Sequence, residues 1–403
     1  MGFSPENIKN MDFNTSLFND LQARRKQLQA EMQKDGVDAC ILTTGVNVFY
    51  VAGCIYNGYF YLPAEGEAYH FLKRTTEAAL QNAIYVRKPE QIIEELQKQG
   101  LPLPRKVLLE VDALSFSECS RLISSMQITE TANASVLMRQ LRSVKSDFEI
   151  SQVRQCAKRH VEVYKQIPNL YKKGMTDLEL QFEIEHLMRQ HGSLGIFRSY
   201  GANMDIYMGS LLVGENAESP SPFDFALGGK GGNPILPLGA CGEKIQQGNA
   251  VMVDMAGNYG PWMTDMTRVF SVGKLSDLAY RAHDVSREIH EVIKQKTKEG
   301  TPCADLYNIA MDLTKKNDLE AYFMGTKLQA KFVGHGVGLE INEPPVLTPR
   351  SKEIFMSNMI FALEPKFVIP NVGAVGVENT YLVHDNSIEN LTVLEESIID
   401  LEK

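Results

Sequence analysis

The chain has no run of eighteen or more apolar residues and no basic-then-apolar leader at its N-terminus. Neither a membrane-spanning helix nor a secretory signal is therefore expected. It also lacks a basic excess: Lys and Arg number 41 against 50 Asp and Glu, a formal net charge of -9. Such a balance argues against a face built to track a phosphate backbone, and no nucleic-acid partner is expected. The six cysteines, Cys40, Cys54, Cys119, Cys156, Cys241 and Cys303, show no CxxC and no paired spacing. They read as free thiols in a reducing compartment, so the expectation is a soluble cytoplasmic protein. There is no phosphate loop and no internal repeat. Only the first dozen residues and a loop around 215–222 have a composition that suggests disorder.

What the sequence does contain is enough length, 403 residues, for two or three domains. The first 140 residues alternate helical and strand-like patterns. Leu17, Leu21, Leu28 and Met32 share a helical face, and Gly36 stands where a C-terminal cap belongs. Short apolar runs at Val37–Leu42, Val46–Val51, Tyr69–Leu72 and Val107–Val111 read as strands, with polar helical stretches around 75–83 and 89–99. The pattern predicts an α/β domain over 1–140. Beyond it, Ser146 with Glu149 and Thr176 with Glu179 form two capping boxes. The first opens a helix whose face is Ile150, Val153, Ala157, Val161 and Tyr164, closed by Pro168; the second opens a helix through Met188. Gly-rich turns and strand-like runs follow from about 195, a helical region spans about 275–315, and strands return to the end. An α+β domain over 141–403 is the expectation.

The chemistry concentrates in four apolar strands that carry carboxylates. In VMVDMAGNYGPWMTDMTRVFSVG, from Val251, a turn at Asn258-Tyr259-Gly260-Pro261 joins two strands bearing Asp254 and Asp265, eleven positions apart. An unpaired carboxylate in an apolar strand is costly to bury, and two close together repel unless a cation lies between them. Alone, such a pair would read as turn or surface aspartates. KFVGHGVGLEINEPP, from Lys331, sets His335 among Gly334, Gly336 and Gly338, which permit close backbone approach. FALEPKFVIP places Glu364 at the end of an apolar run, and GAVGVENTYLV places Glu378 in another. Carboxylate and imidazole ligands suit Mn, Fe, Co or Zn in a two-metal site, where a bridging water becomes a nucleophile near neutral pH.

These segments resemble the M24 family of metallopeptidases and its relatives, which include aminopeptidase P, prolidase, methionine aminopeptidase and creatinase. The family pattern is an Asp in an apolar strand, a D-x-T-R strand, G-H-G-x-G-L, an E-P segment and a final Glu. Asp254, Asp265, His335, Glu364 and Glu378 match it in order, with gaps of 11, 70, 29 and 14. The short last gap is closer to prolidases. LRSVKSDFEI resembles the opening of the family's catalytic domain. The resemblance implies a creatinase-type α/β N-terminal domain and a pita-bread catalytic domain. It implies two divalent ions held by those five residues, Glu364 as general base and acid, a small peptide substrate of the Xaa-Pro kind, and a homodimer.

The match breaks outside the ligands. The family carries a substrate-handling His where this chain has Leu238, in NPILPLG, and a second His where it has Asn342. Prolidases place an Arg at Val346, and aminopeptidase P a His at Lys331. The usual E-P-G is Glu364-Pro365-Lys366 here. Leucine donates nothing, and an amide shuttles no proton near pH 7. Three readings stay open: new donors among Lys331, Asn342, Lys366 and Asn379; a small-molecule C–N hydrolase or lyase; or a binding protein without catalysis. Arg198, Tyr200 and Tyr207, in RSYGANMDIYMG, are candidates to line the pocket, with packing or solvent-facing roles the alternative. Trp262, the single tryptophan, reads as packing in the turn between the two aspartate strands.

Overall fold

A computed structural model describes residues 11–75, 80–201, 206–223 and 225–403. The chain divides into two compact units at Arg142/Ser143. The first carries a six-stranded sheet in the order β4-β3-β2-β1-β5-β6. Its strands are β1 (Ala39–Leu42), β2 (Gly58–Pro63), β3 (Tyr69–Leu72), β4 (Ala83–Tyr85), β5 (Lys106–Leu109) and β6 (Glu130–Asn133). The helices are α1 (Met11–Lys34), α2 (Gly45–Ala52), α3 (Glu90–Lys98), α4 (Phe116–Met126) and α5 (Ala134–Ser143). Ala39, Ile41, Phe71, Val107 and Leu109 pack with Ile92, Leu96, Leu122 and Met126 in the core of this unit. Antiparallel β1-β2-β3 beside parallel β1-β5-β6 makes the sheet mixed, as the α/β pattern predicts.

Gly36 does cap α1: at φ 62 its N–H bonds Gln33 O while Val37 N–H bonds Met32 O, the Schellman pairing. Val46–Val51, expected as a strand, is the helix α2. This eight-residue, largely apolar helix buries Val48, Tyr50 and Val51, and Gly53 at φ 75 stops it. Periodicity cannot separate strand from helix in so short a run. The helical stretch expected around 75–83 is not seen where the structure describes it: residues 81–82 turn and Ala83–Tyr85 is β4, while 76–79, like the first ten residues, lie outside the described set.

The second unit places β7 (Gly209–Val213), β8 (Ala250–Gly257) and β9 (Thr264–Ser271) in one sheet, with β17 (Ile399–Asp400) parallel to β9. Both capping boxes form, opening α6 (Asp147–Tyr164) and α7 (Asp177–Gln190). The predicted helical region after 275 is two helices, α8 (Asp277–Lys296) and α9 (Cys303–Lys316), because Gly300 (φ 84) and Pro302 interrupt it. Alternation along β8 and β9 sends Val253, Met266 and Phe270 toward α6 and α7, and Met252 and Val269 toward α8 and α9. A second sheet has the order β11-β10-β12-β15-β16: β10 (Gly334–Gly336), β11 (Glu343–Val346), β12 (Ile360–Leu363), β15 (Asn379–Val383) and β16 (Ile388–Asn390). A two-stranded ribbon pairs β13 (Lys366–Ile369) with β14 (Gly373–Gly376). Among the described residues no helix is long and apolar enough to cross a membrane.

The connection between these last two sheets positions the chemistry. Two antiparallel segments cross from the five-stranded sheet to the ribbon: β12 leads through Glu364-Pro365 into β13, and β14 returns through Val377-Glu378 into β15. At such a crossing a side chain leaves the regular alternation and can project between the sheets. Glu364 and Glu378 stand at the two crossings.

Candidate metal centre

Five side chains from four segments converge here. Across the β8–β9 hairpin, Asp254 is paired with Thr267 and Asp265 with Ala256, so the two aspartates are diagonal neighbours on one face. Thr267 also bridges to Glu378, and its hydroxyl donates to Glu378 Oε2 at 2.7 Å. His335 lies opposite Ala362 in β12, two residues before Glu364. Its neighbours must be glycines: a Cβ at Gly334 would strike the Ala362 carbonyl, and one at Gly336 the Pro344 carbonyl. His335 Nε2 is 3.4 Å from Glu364 Oε1 and 3.8 Å from Asp265 Oδ2. Asp265, Glu364 and Glu378 are buried, while Asp254 and His335 retain a little exposure.

The decisive neighbour is Lys366. It opens β13 opposite Gly376, which has φ 141 and whose added Cβ would stand 2.6 Å from the Pro365 carbonyl and 3.0 Å from Lys366 Cα. The lysine is completely buried. Its ammonium donates to Asp254 Oδ2 at 2.8 Å, to Glu364 Oε2 at 2.8 Å and to Glu378 Oε2 at 3.0 Å. Burial opposes the charge, but Asp254, Glu364 and Glu378 hold the amine well above the ordinary lysine range. Burial would also raise Glu364; Lys366 and His335 instead bring it to about 2. Glu378 is pushed up to about 8 by burial and by Glu364 and Asp254, against Lys366. Asp265 is driven well up by burial and by Glu378 and Asp254.

A divalent cation fits one end of this cluster. Asp265, His335 and Glu378 each offer a ligand atom, and these atoms lie within 4.8 Å of one another. Glu378 Oε1, buried there, has no hydrogen-bond partner. A carboxylate oxygen left so in a buried site calls for a cation or a donor. The other end does not fit a second ion as it stands, because the Lys366 ammonium already lies among Asp254, Glu364 and Glu378.

The residues expected to handle substrate are dispersed. Lys366 faces the carboxylates rather than a pocket. Asn342 turns its amide onto the backbone: Tyr200 N–H donates to its Oδ1 at 2.7 Å and its Nδ2 donates to Tyr200 O at 3.1 Å. Arg198 makes the same junction, donating to Leu339 O at 2.9 Å. Asn379 is engaged by Arg268 and Glu396. These side chains hold loops in place. Leu238 is buried, and the following Gly239 passes close to Ser210, the residue paired with Asp254. Tyr207 is exposed in a shallow groove with Phe182, Glu185, His186 and Arg189, none of which belongs to the cluster. Lys331 and Val346 line one cleft of about 310 Å³ with Phe223, Phe225, Leu328 and Thr348. Val346 is also the β11 partner of His335.

Trp262 packs, edge-on to Phe148, with its Nε1–H donated to Glu149 Oε1 at 3.0 Å. The sequence reading left out Arg268 as a brace: it donates to the Glu378 carbonyl at 2.9 Å and to Asn379 Oδ1 at 2.8 Å. Its signal was available, since Thr267 and Arg268 complete the D-x-T-R segment.

Comparison with known proteins agrees with this architecture. The profile of metallopeptidase family M24 matches residues 151–385, and that of the creatinase/prolidase N-terminal domain matches 24–144. The Xaa-Pro dipeptidase of Pyrococcus horikoshii is 23% identical over 379 residues, covering 93% of this chain and 98% of that one. The crystal structure of the prolidase from the same organism superposes with a TM-score of 0.77 at 20% identity, covering 94% of this chain and 100% of the other. An Xaa-Pro dipeptidase from Bacillus anthracis gives 0.79 at 20% identity, covering 94% and 99%.

Proposed function

Since the chain belongs to metallopeptidase family M24, we propose that it is a metal-dependent hydrolase that cleaves the amide bond of small proline-containing peptides, as the names of its dipeptidase relatives suggest. The observation that carries the reading is the convergence of Asp265, His335 and Glu378, the last with a buried oxygen that has no hydrogen-bond partner. A divalent cation there, Mn, Co, Zn or Fe, would supply Lewis-acid polarisation of a substrate carbonyl and of a water. Glu364 is the proton carrier: one oxygen is held by Lys366 and the other is turned toward His335. It takes a proton from the attacking water and returns it to the leaving nitrogen. Arg268 and Thr267 keep Glu378 oriented. The cleft bearing Lys331, Phe225 and Val346 receives the peptide. A homodimer in the cytoplasm completes the reading.

One observation favours a second reading, a small-molecule C–N hydrolase or lyase. Leu238 offers no donor, and Asn342, Arg198 and Asn379 are committed to loop contacts. The test is to incubate protein supplied with Mn, Co or Zn with Xaa-Pro dipeptides and tripeptides. The peptidase reading requires release of the N-terminal residue, abolished by chelation and reduced about 100- to 10,000-fold in Glu364→Gln. No turnover by the wild type would sink it in favour of the second.

A further inference from the structure

We propose that the Lys366 ammonium takes the place of one of two divalent ions, so that the chain carries a single metal, at Asp265, His335 and Glu378. The inference rests on the reading of this cluster as a metal centre, and deepens it.

The geometry excludes sharing. Carboxylate oxygens bind such metals at about 2.0–2.2 Å. An ion drawn to Asp254 Oδ2, Glu364 Oε2 and Glu378 Oε2 would fall on Lys366 Nζ, which lies 2.8, 2.8 and 3.0 Å from those same atoms. The lysine has no solvent-exposed retreat, since it is completely buried. Its main chain is fixed as well: Lys366 O accepts from Met324 N–H, and β13 is paired along its length with β14. An ammonium also satisfies what the place demands. It brings three donors to three carboxylates from three different segments, and burying it would be prohibitive without them.

The division of ligands follows. Glu378 serves both ends: its Oε2 accepts from the lysine, while its Oε1 has no hydrogen-bond partner and is left for the ion. Asp254 belongs to the lysine, and Asp265 and His335 to the ion. In a two-ion site, loss of either aspartate would disturb metal binding. Here the two should separate.

The experiment is to saturate the protein with Mn or Co, remove excess by desalting, and count bound metal by mass spectrometry. One ion per chain is expected for the wild type. Asp254→Asn should keep it, Asp265→Asn should lose it, and Lys366→Gly should take up two. Two ions in the wild type, one in Lys366→Gly, or equal losses from both aspartate variants would each overturn the proposal. Should Lys366→Gly fail to fold, the wild-type count and the aspartate pair decide. One ion without peptide turnover would leave this inference standing and reject the peptide substrate. Two ions with turnover would do the reverse.

Discussion

At one end of the carboxylate cluster, Asp254, Glu364 and Glu378 Oε2 surround an ammonium supplied by the chain. At the other, Asp265 meets, within 4 Å, no basic side chain among the described residues except His335, and Glu378 Oε1 meets no donor at all. The same buried anions are thus compensated in two ways within one site. The lysine end is complete when the chain has folded. The histidine end is complete only when something binds. Folding stability and ligand affinity should therefore respond to different residues, although Glu378 belongs to both.

The sharpest way to break this comparison is Lys366→Met, which keeps length and removes charge. Removing one partner of a buried ion pair costs about 3–5 kcal/mol, because the remaining charges stay buried without compensation. A loss of that size is expected in urea denaturation with chelator present. A loss under about 1 kcal/mol would show that the ammonium does not compensate the three carboxylates. Next in size is the effect of metal on the wild type. An ion present at about a hundred times its dissociation constant stabilises the fold by about 2.7 kcal/mol. Thermal melts should show this shift, and Asp265→Asn should abolish it. A shift surviving in Asp265→Asn but lost in Asp254→Asn would reverse the assignment of the two ends.

The sequence made one half of this site far more legible than the other. Asp254, Asp265, Glu364 and Glu378 announce themselves because carboxylates in apolar strands need a reason, and glycines around His335 mark close packing. The capping boxes of α6 and α7 and the core strands follow from local rules. Lys366 does not announce its role: a lysine one residue past Glu364-Pro365 reads as easily as a pocket residue. Its place depends on the sheet crossing and on Gly376 opposite, which are tertiary facts. For the same reason Asn342 and Arg198 looked like substrate contacts, although their partners, Tyr200 and Leu339, are set by a loop junction some 140 residues away in sequence. In the first unit the α2 run failed for want of length, since a mostly apolar stretch of eight residues fits either element.

Histidines sharpen the comparison further, since His335 faces carboxylates and two others do not. His290 is buried, with Nε2–H donated to Val377 O and Nδ1 2.9 Å from the Tyr381 hydroxyl, which can donate to the neutral ring. Burial lowers it to about 4, and lowers His160 to about 3. Below an unfolded value of about 6.5 the unfolded chain binds protons that these rings refuse, so stability falls as the pH drops toward 4. Each contributes up to about 3 kcal/mol across that window. Denaturation at pH 7, 5.5 and 4 should show the loss, with a shallower slope in His290→Asn. An unchanged slope in that variant would remove His290 from the account.

The smallest effect is expected where the same charges meet in water. Arg154 donates through its Nη2 to Glu389 Oε2 at 2.7 Å, with both side chains well exposed, and His384 adds a contact to the same carboxylate. These partners hold Glu389 at about 2. Exposed pairs nevertheless contribute only about 0–1 kcal/mol, because solvent and salt screen them and two long side chains must be ordered. Arg154→Ala should therefore cost under about 1 kcal/mol, and most of that should vanish in 1 M salt. The Lys366→Met cost should persist in the same salt, since the buried ammonium sits in direct contact with its three carboxylates, where bulk salt screens little. Equal salt sensitivity of the two variants would mean that solvent reaches Lys366, and that the two ends of the cluster differ less than their geometry indicates.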